Sequence, residues 1–129
     1  MPDIQINCES RYKTNKEFLA KHLARVLDEE GIKGSTAVSV LICGKRKVRE
    51  LARRYLRAPE DHNVLSFVYS EIKKPFVDYP DNTLNLGEIV VCYPLAQEEA
   101  MEENKMVDQA VAELAEHGLR HLLGQHHEE

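Results

Sequence analysis

The sequence has no apolar stretch near the length of a membrane-spanning helix, which argues against a membrane protein. Residues 1–10 lack the basic flank and apolar run of a secretion signal, so we expect a cytoplasmic protein. Internal repeats, low-complexity tracts and interdomain linkers are also missing. A chain of 129 residues suits one domain, and we expect a single domain over 1–129.

Cysteine is scarce, and its spacing excludes the common cysteine-based sites. The three cysteines, Cys8, Cys43 and Cys92, are odd in number, lie far apart and form no C-x-x-C pair. Each falls in an apolar run that predicts a strand. We therefore expect small buried hydrophobic side chains in a reducing compartment rather than disulfides.

Positive charge is also in deficit, since the net charge is −5, which argues weakly against a nucleic-acid partner. Segment 45–57 is the exception, because it holds seven basic residues against one acidic residue, a local charge of +6. Such a patch attracts phosphate even on an acidic protein, because salt confines the field to about 8–10 Å. A solvated helix face is the other interpretation, and the sequence leaves both open.

Hydrophobic periodicity predicts eight elements in the order β-α-β-α-β-β-α-α. We expect a capping box of Thr14 and Glu17 to begin the first helix, and Gly31 to end it. The apolar residues of 45–57 recur at helical spacing, which predicts an amphipathic helix. Two consecutive strands joined by a long loop argue against a doubly wound sheet. The expected fold is therefore an α+β domain with a mixed four-stranded sheet packed with helices.

The most specific motif is HGLRHLLGQHH at 117–127. His117 and His121 are four residues apart, so on a helix they lie about 40° apart on one face and can reach one metal ion. We expect Gly124 to end that helix, so that the chain turns back and His127 supplies a third ligand. His126 is the rival for that position. Three protein ligands leave a coordination position for water, which is typical of catalytic zinc.

The same motif has two other interpretations. A helix end that is merely rich in histidine is one of them, because cationic histidines favour helix C-termini. The placed glycine argues against it. A zincin protease is the second, since its motif has the same His, Gly and His spacing. Such proteases need a glutamate directly after the first histidine as general base, and Gly118 stands there instead.

These residues resemble the signature of the YbeY family, the bacterial endoribonucleases of rRNA maturation. The blocks NVLSF at 63–67 and LGEIV at 86–90 are similar to two further family motifs, and the resemblance spans roughly residues 35–127. It implies a zincin-like fold with one Zn²⁺, Ni²⁺ or other divalent ion per chain on His117, His121 and His127. It also implies cleavage of single-stranded RNA in small-subunit rRNA maturation and ribosome quality control. The expected partners are rRNA and the small ribosomal subunit or its assembly factors, with no membrane.

The chain departs from the family pattern at several positions. Many members have an arginine directly after the tyrosine that ends the basic helix, whereas this chain has Leu56. Arg57 is therefore our candidate catalytic residue, and the candidate RNA-binding residues are Arg46, Arg49, Arg53, Arg54 and Arg57. His126 stands in place of a usual aspartate, and Asp61 and His62 stand in place of Pro-Thr.

A non-catalytic RNA-binding factor is the alternative function. In that interpretation the protein associates with the ribosome, and its metal is structural. The missing arginine and the low overall charge favour it, whereas the placed histidines favour an enzyme.

Overall fold

The structure is a computed structural model that describes residues 2–32, 34–56, 62–69 and 83–127, and side chains among them as far as Gly124. Its elements follow the predicted order, so the α+β class is confirmed. No helix among these residues is long and apolar enough to cross a membrane. The elements are β1 (Asp3–Cys8), α1 (Lys16–Glu29), β2 (Thr36–Cys43), α2 (Lys45–Tyr55), β3 (Val64–Val68), β4 (Leu84–Cys92), α3 (Tyr93–Glu103) and α4 (Val107–His127).

The four strands form one mixed sheet in the order β1-β2-β4-β3. β1, β2 and β4 run parallel, and β3 pairs antiparallel with β4 at the edge. The central strands β2 and β4 are buried almost throughout, as their continuous apolar runs require. β1 alternates exposed and half-buried residues, which suits an edge strand with one solvated face. The predicted mixed four-stranded sheet is confirmed.

Helices cover both faces of the sheet and divide the core in two. On one face, α1, α3 and α4 pack on the side chains of β2 and β4 that point that way, among them Val40, Ile42 and Ile89. On the other face, α2 covers a smaller cluster that includes Leu65, Phe67 and Val90, with Leu95 of α3 packed against it. Successive side chains of a strand point to opposite faces of the sheet, and this alternation decides which side chains meet which helices.

The cysteines follow the prediction. Cys43 and Cys92 are fully buried, Cys8 is half-buried, and all three are free thiols. Burial, helped by the nearby charge of Glu9, raises the pKa of Cys43 to about 12.

The predicted start of α1 is wrong by one residue, whereas its predicted end holds. Asn15 is the N-cap, and its side-chain oxygen accepts a hydrogen bond from the Phe18 backbone N–H at 3.0 Å. Thr14 lies outside the helix and makes no such bond. Asparagine caps at least as well as threonine, so the helix begins one residue later than the capping-box pattern indicates. Gly31 follows the helix in the left-handed region at φ +73°, as expected of a terminating glycine.

The predicted end of the last helix is also wrong. α4 continues through Gly124 to His127, and Gly124 does not have the positive φ of a terminating glycine. Apart from its chain neighbours and its own helix backbone, nothing in the described part of the chain lies within 4 Å of a Cβ placed on Gly124. A glycine inside an exposed helix costs only about 1 kcal/mol relative to alanine, which the rest of α4 can offset.

Candidate active site

His117 and His121 lie on one wall of a cleft between α4 and the edge strand β3. The cleft has a volume of about 300 Å³. Larger clefts exist, including one of about 420 Å³ beside α3, so size does not distinguish this cleft. Its two α4 histidines distinguish it. The lining residues are Leu56, His62, Asn63, Val64, Leu65, Ser66, His117, Gly118 and His121.

α4 positions the two histidines at the boundary between core and solvent. Leu119 and Leu122 are buried against the sheet, whereas His117 and His121 are exposed. Gly118 brings the helix backbone close to the sheet, because a Cβ on it would lie 2.9 Å from Cγ2 of Ile89. The spacing of His117 and His121 in the sequence predicted their shared helix face.

The third predicted ligand is not brought to the cleft by the described backbone. In a continuous helix, His127 lies about 9 Å further along the axis than His121 and about 240° around it. Its side chain, like that of His126, is outside the described residues. Within the described part of the chain, no group of three His, Cys, Asp or Glu residues is placed to hold a metal. The ligand role of His127 therefore stays a prediction, and it requires α4 to unwind after Gly124.

The two described histidines nevertheless fit part of a divalent metal site. Imidazole nitrogens are common ligands for zinc, nickel and similar ions. Both imidazoles are carried one helical turn apart on a rigid, well-packed helix. Both also line a cleft that is open to solvent, as an exchangeable water ligand requires.

A polar network behind the cleft ties α4 to α1. Nε2 of His22 lies 2.6 Å from Oε1 of Glu116, and Arg25 donates to Nδ1 of His22 at 3.1 Å. The Arg25 guanidinium can only donate, so Nδ1 of His22 accepts and Nε2 donates to Glu116. Arg120 donates from Nε to Glu116 at 2.9 Å and also donates to Glu30, the C-cap residue of α1. His22 thus joins α1 to α4 through hydrogen bonds.

The charge balance of this network favours ionised Glu116. Burial acts to raise the pKa of Glu116, but hydrogen bonds from Arg120 and His22 outweigh it, so that pKa lies below its usual range. Glu116 and Arg120 directly precede His117 and His121. The network therefore fixes α4 at the two turns that carry the histidines.

The basic helix α2 has the amphipathic form that the sequence predicted. It buries Val48, Leu51 and Ala52, and its charged side chains lie outside. Arg46, Arg49 and Arg53 line a second cleft, of about 340 Å³, together with Glu50. Arg54 pairs with Glu50 at 3.1 Å, so part of its charge is already neutralised.

The described arginines of α2 do not line the histidine cleft. The cleft wall includes Leu56, 45% exposed, but none of Arg46, Arg49, Arg53 or Arg54. Arg57, the candidate catalytic residue, lies outside the described residues. Its role therefore remains a prediction.

Sequence reasoning missed His62 as a site residue. It registered only as a departure from the family pattern, directly before the NVLSF block. The structure places it in the same cleft as His117 and His121. Its position before a predicted strand, in a chain with a histidine-rich motif elsewhere, was the available signal, but nothing local in the sequence shows that β3 lies beside α4.

A mixed sheet with a histidine-bearing helix packed beside its antiparallel edge strand defines the class of protein, an α+β domain with histidines at a surface cleft. The family model described as Endoribonuclease YbeY matches residues 3–129. The chain belongs to that family, and the resemblance stated from its sequence is confirmed.

Individual relatives agree with this assignment. A protein of Dehalococcoides mccartyi named Endoribonuclease YbeY is 32% identical to this chain, over 88% of this chain and 75% of that protein. The protein of the same name from Cellvibrio japonicus is 33% identical, over 97% of this chain and 67% of its own length. The one from Thermus thermophilus is 34% identical, over 85% of this chain and 75% of its own length. The solution structure of TM1509 from Thermotoga maritima has the same fold, with a TM-score of 0.58 and 24% identity over 92% of this chain and 71% of that one.

Proposed function

We propose that this chain is a metal-dependent endoribonuclease that cuts single-stranded RNA during maturation of small-subunit rRNA. Family membership supports the hydrolytic endoribonuclease class, as predicted from the sequence. The observation that carries the metal dependence is the cleft that His117 and His121 line together beside β3. A cytoplasmic location, contact with the small ribosomal subunit or its assembly factors, and a part in ribosome quality control belong to the same proposal.

His117 and His121 would hold the ion, Zn²⁺ or another divalent metal such as Ni²⁺, and His127 would complete the set once the last turn of α4 opens. A divalent ion bound there supplies Lewis-acid chemistry to a phosphoryl group and lowers the pKa of bound water. The chain's part is to fix the two imidazoles, which Gly118 and the Glu116 network do by locking α4 on the sheet and on α1.

The basic helix would hold the RNA backbone. Arg46, Arg49 and Arg53 face solvent on one side of α2 and present guanidinium groups that suit phosphate oxygens. Contacts to phosphate position a strand without reading its sequence, so we expect little base preference. Arg57 would neutralise charge on the phosphate nearer the cleft, as predicted from the sequence.

Substitution of His121 tests the proposal. The wild-type protein loaded with zinc should cut single-stranded RNA, spare duplex RNA, and lose activity with a chelator. His121→Ala should lose metal and cleavage yet keep its circular dichroism spectrum, because the side chain is exposed. Gln109→Ala, an exposed position elsewhere on α4, is the matched control and should behave as wild type.

The RNA-binding alternative makes a different set of expectations. The specific observation in its favour is that Leu56, without a donor group, lines the cleft. If the metal-loaded wild-type protein binds RNA but never cuts it, and His121→Ala unfolds, the metal is structural and the enzymatic proposal fails.

A further inference from the structure

We propose that His62 contacts the phosphate of the RNA that is cut in the histidine cleft and is a catalytic residue beside His117 and His121. This inference rests on the proposed endoribonuclease function. It adds a residue that the metal motif does not contain and that comes from a different element of the fold.

His62 lies in the same cleft as the two α4 histidines. His62 immediately precedes β3, whereas His117 and His121 lie on α4, about 55 residues later in the chain. All three line the same cleft of about 300 Å³. A phosphodiester near the two α4 histidines would therefore lie in the space that His62 also borders.

Among the described residues, His62 and the two α4 histidines are not grouped as three ligands of one ion. We therefore assign His62 to the substrate rather than to the metal.

The chain next to His62 is anchored by hydrogen bonds. The next residue, Asn63, is held twice: its carbonyl oxygen accepts from the Cys92 N–H at 2.9 Å, and its Nδ2 donates to Oε1 of Glu99 at 2.7 Å. These bonds fix the backbone at the entry to β3 to both β4 and α3. His62 is therefore presented to the cleft from an anchored position, which lowers the cost of ordering it around a substrate.

Three of the described lining residues that are not candidate ligands carry side-chain donors: His62, Asn63 and Ser66. The Asn63 amide donates to Glu99, which holds the chain in place beside His62. An imidazole carries at least one N–H in either protonation state, so its contact with a phosphate oxygen does not depend on its charge.

His62→Ala in the metal-loaded full chain tests the inference. Removing a donor that acts on the reacting phosphate should lower kcat roughly 100-fold. Zinc content and the circular dichroism spectrum should not change. His62→Gln keeps an N–H donor and should recover part of the loss, whereas Gln97→Ala, an exposed position on α3, should match wild type.

A second variant tests the geometry. Because Leu56 borders the same cleft, Leu56→Arg would supply guanidinium donors from the neighbouring wall. Combined with His62→Ala, it should restore cleavage at least 10-fold relative to His62→Ala alone.

Binding of a nuclease-resistant 2′-O-methyl oligonucleotide distinguishes this inference from the underlying function. If the wild type cuts RNA and His62→Ala cuts it equally well with zinc bound, the role of His62 is overturned and the proposed function stands. Loss of zinc from His62→Ala would also overturn it. If the wild type cuts nothing, the proposed function fails and the catalytic role of His62 fails with it. Binding of the oligonucleotide at least 5-fold more weakly by His62→Ala would then support only a contact between His62 and RNA.

Discussion

Gly118 of α4 and Ile89 of β4 are in such close contact that a Cβ on the glycine would lie 2.9 Å from Cγ2 of the isoleucine. Side chains do not pack at that separation. The same Cβ would lie 3.4 Å from Cγ2 of Val64, so the helix touches two strands at this point. Because Gly118 directly follows His117, its contact with the sheet sets the depth at which both histidines enter the cleft.

Gly118→Ala should therefore destabilise the protein, although alanine is the better helix former. Overpacking a core in this way costs about 1–3 kcal/mol, which exceeds the gain of roughly 1 kcal/mol in helix propensity. Urea unfolding should show a lower midpoint. An equal or higher midpoint would mean that α4 can move away from Ile89 without cost.

Gly124→Ala is the matched substitution on the same helix and should act in the opposite direction. Outside its own helix backbone and chain neighbours, none of the described atoms lies within 4 Å of the added Cβ, and the backbone there is helical. The metal-free protein should gain about 0.5–1 kcal/mol of unfolding free energy. Zinc affinity should fall, because His127 can join the other ligands only if the helix opens after Gly124.

Calorimetry with zinc separates these two effects. If Gly124→Ala stabilises the apoprotein and leaves zinc affinity unchanged, His127 is not a ligand. If it destabilises the apoprotein, the chain leaves the helix at Gly124 even without metal.

The parts of the fold that the sequence predicted are those encoded by local periodicity. The apolar run of Thr36–Cys43 and the helical spacing of Val48, Leu51 and Ala52 each identify an element without reference to the rest of the chain. The same holds for His117 and His121, because a spacing of four residues on a helix brings two side chains together by itself. These elements were predicted correctly.

The predictions that failed concern either two residues that compete for one role or a contact between residues far apart in the chain. Thr14 and Asn15 are both good caps, and only the backbone decides which one begins the helix. Gly124 has the residue type of a helix end, but the φ angle that it adopts is not written in the sequence. His62 meets the α4 histidines through the packing of β3 beside α4, a long-range contact that one sequence does not reveal.

Gly87→Ala should be the most damaging of the glycine substitutions. Gly87 has φ +138°, and a Cβ there would lie 2.0 Å from the backbone oxygen of Phe67 on the paired strand. Backbone cannot move aside as a side chain can, so we expect at least about 3 kcal/mol of destabilisation or no folded protein. Gly34→Ala is the control, because its φ is +88° with nothing within 4 Å. It should cost only about 1–2 kcal/mol, measured by thermal unfolding.

Cys43 should resist alkylation in the folded protein. Burial is the main cause that raises its pKa to about 12, and the thiolate is the reactive form. Iodoacetamide at pH 8 should label half-buried Cys8 first and Cys43 only after unfolding in urea, as mass spectrometry of the peptides would show. Rapid labelling of Cys43 without denaturant would contradict the burial.

The same shift predicts how stability varies with pH. Between the ordinary thiol pKa of 9.0 and the folded value of about 12, the unfolded chain releases a proton that the folded protein keeps. The stability contributed by the protonated thiol is fully present below pH 9 and declines as the pH rises through this window. Cys43→Ala should reduce the decline in urea midpoint between pH 8 and pH 10.

The basic helix makes a prediction about salt. Each phosphate contact to single-stranded RNA contributes about 0.7 to the slope of log affinity against log salt, because the contact releases a counterion. Removing Arg46 and Arg53 together should weaken RNA binding at low salt and reduce that slope by about 1.4, if each side chain meets one phosphate. Arg54→Ala should change the slope less, because Glu50 lies 3.1 Å from its guanidinium. Titrations with a labelled single strand at several salt concentrations would measure both effects. An unchanged slope in the double variant would mean that α2 is a solvated face, and that another surface holds the RNA.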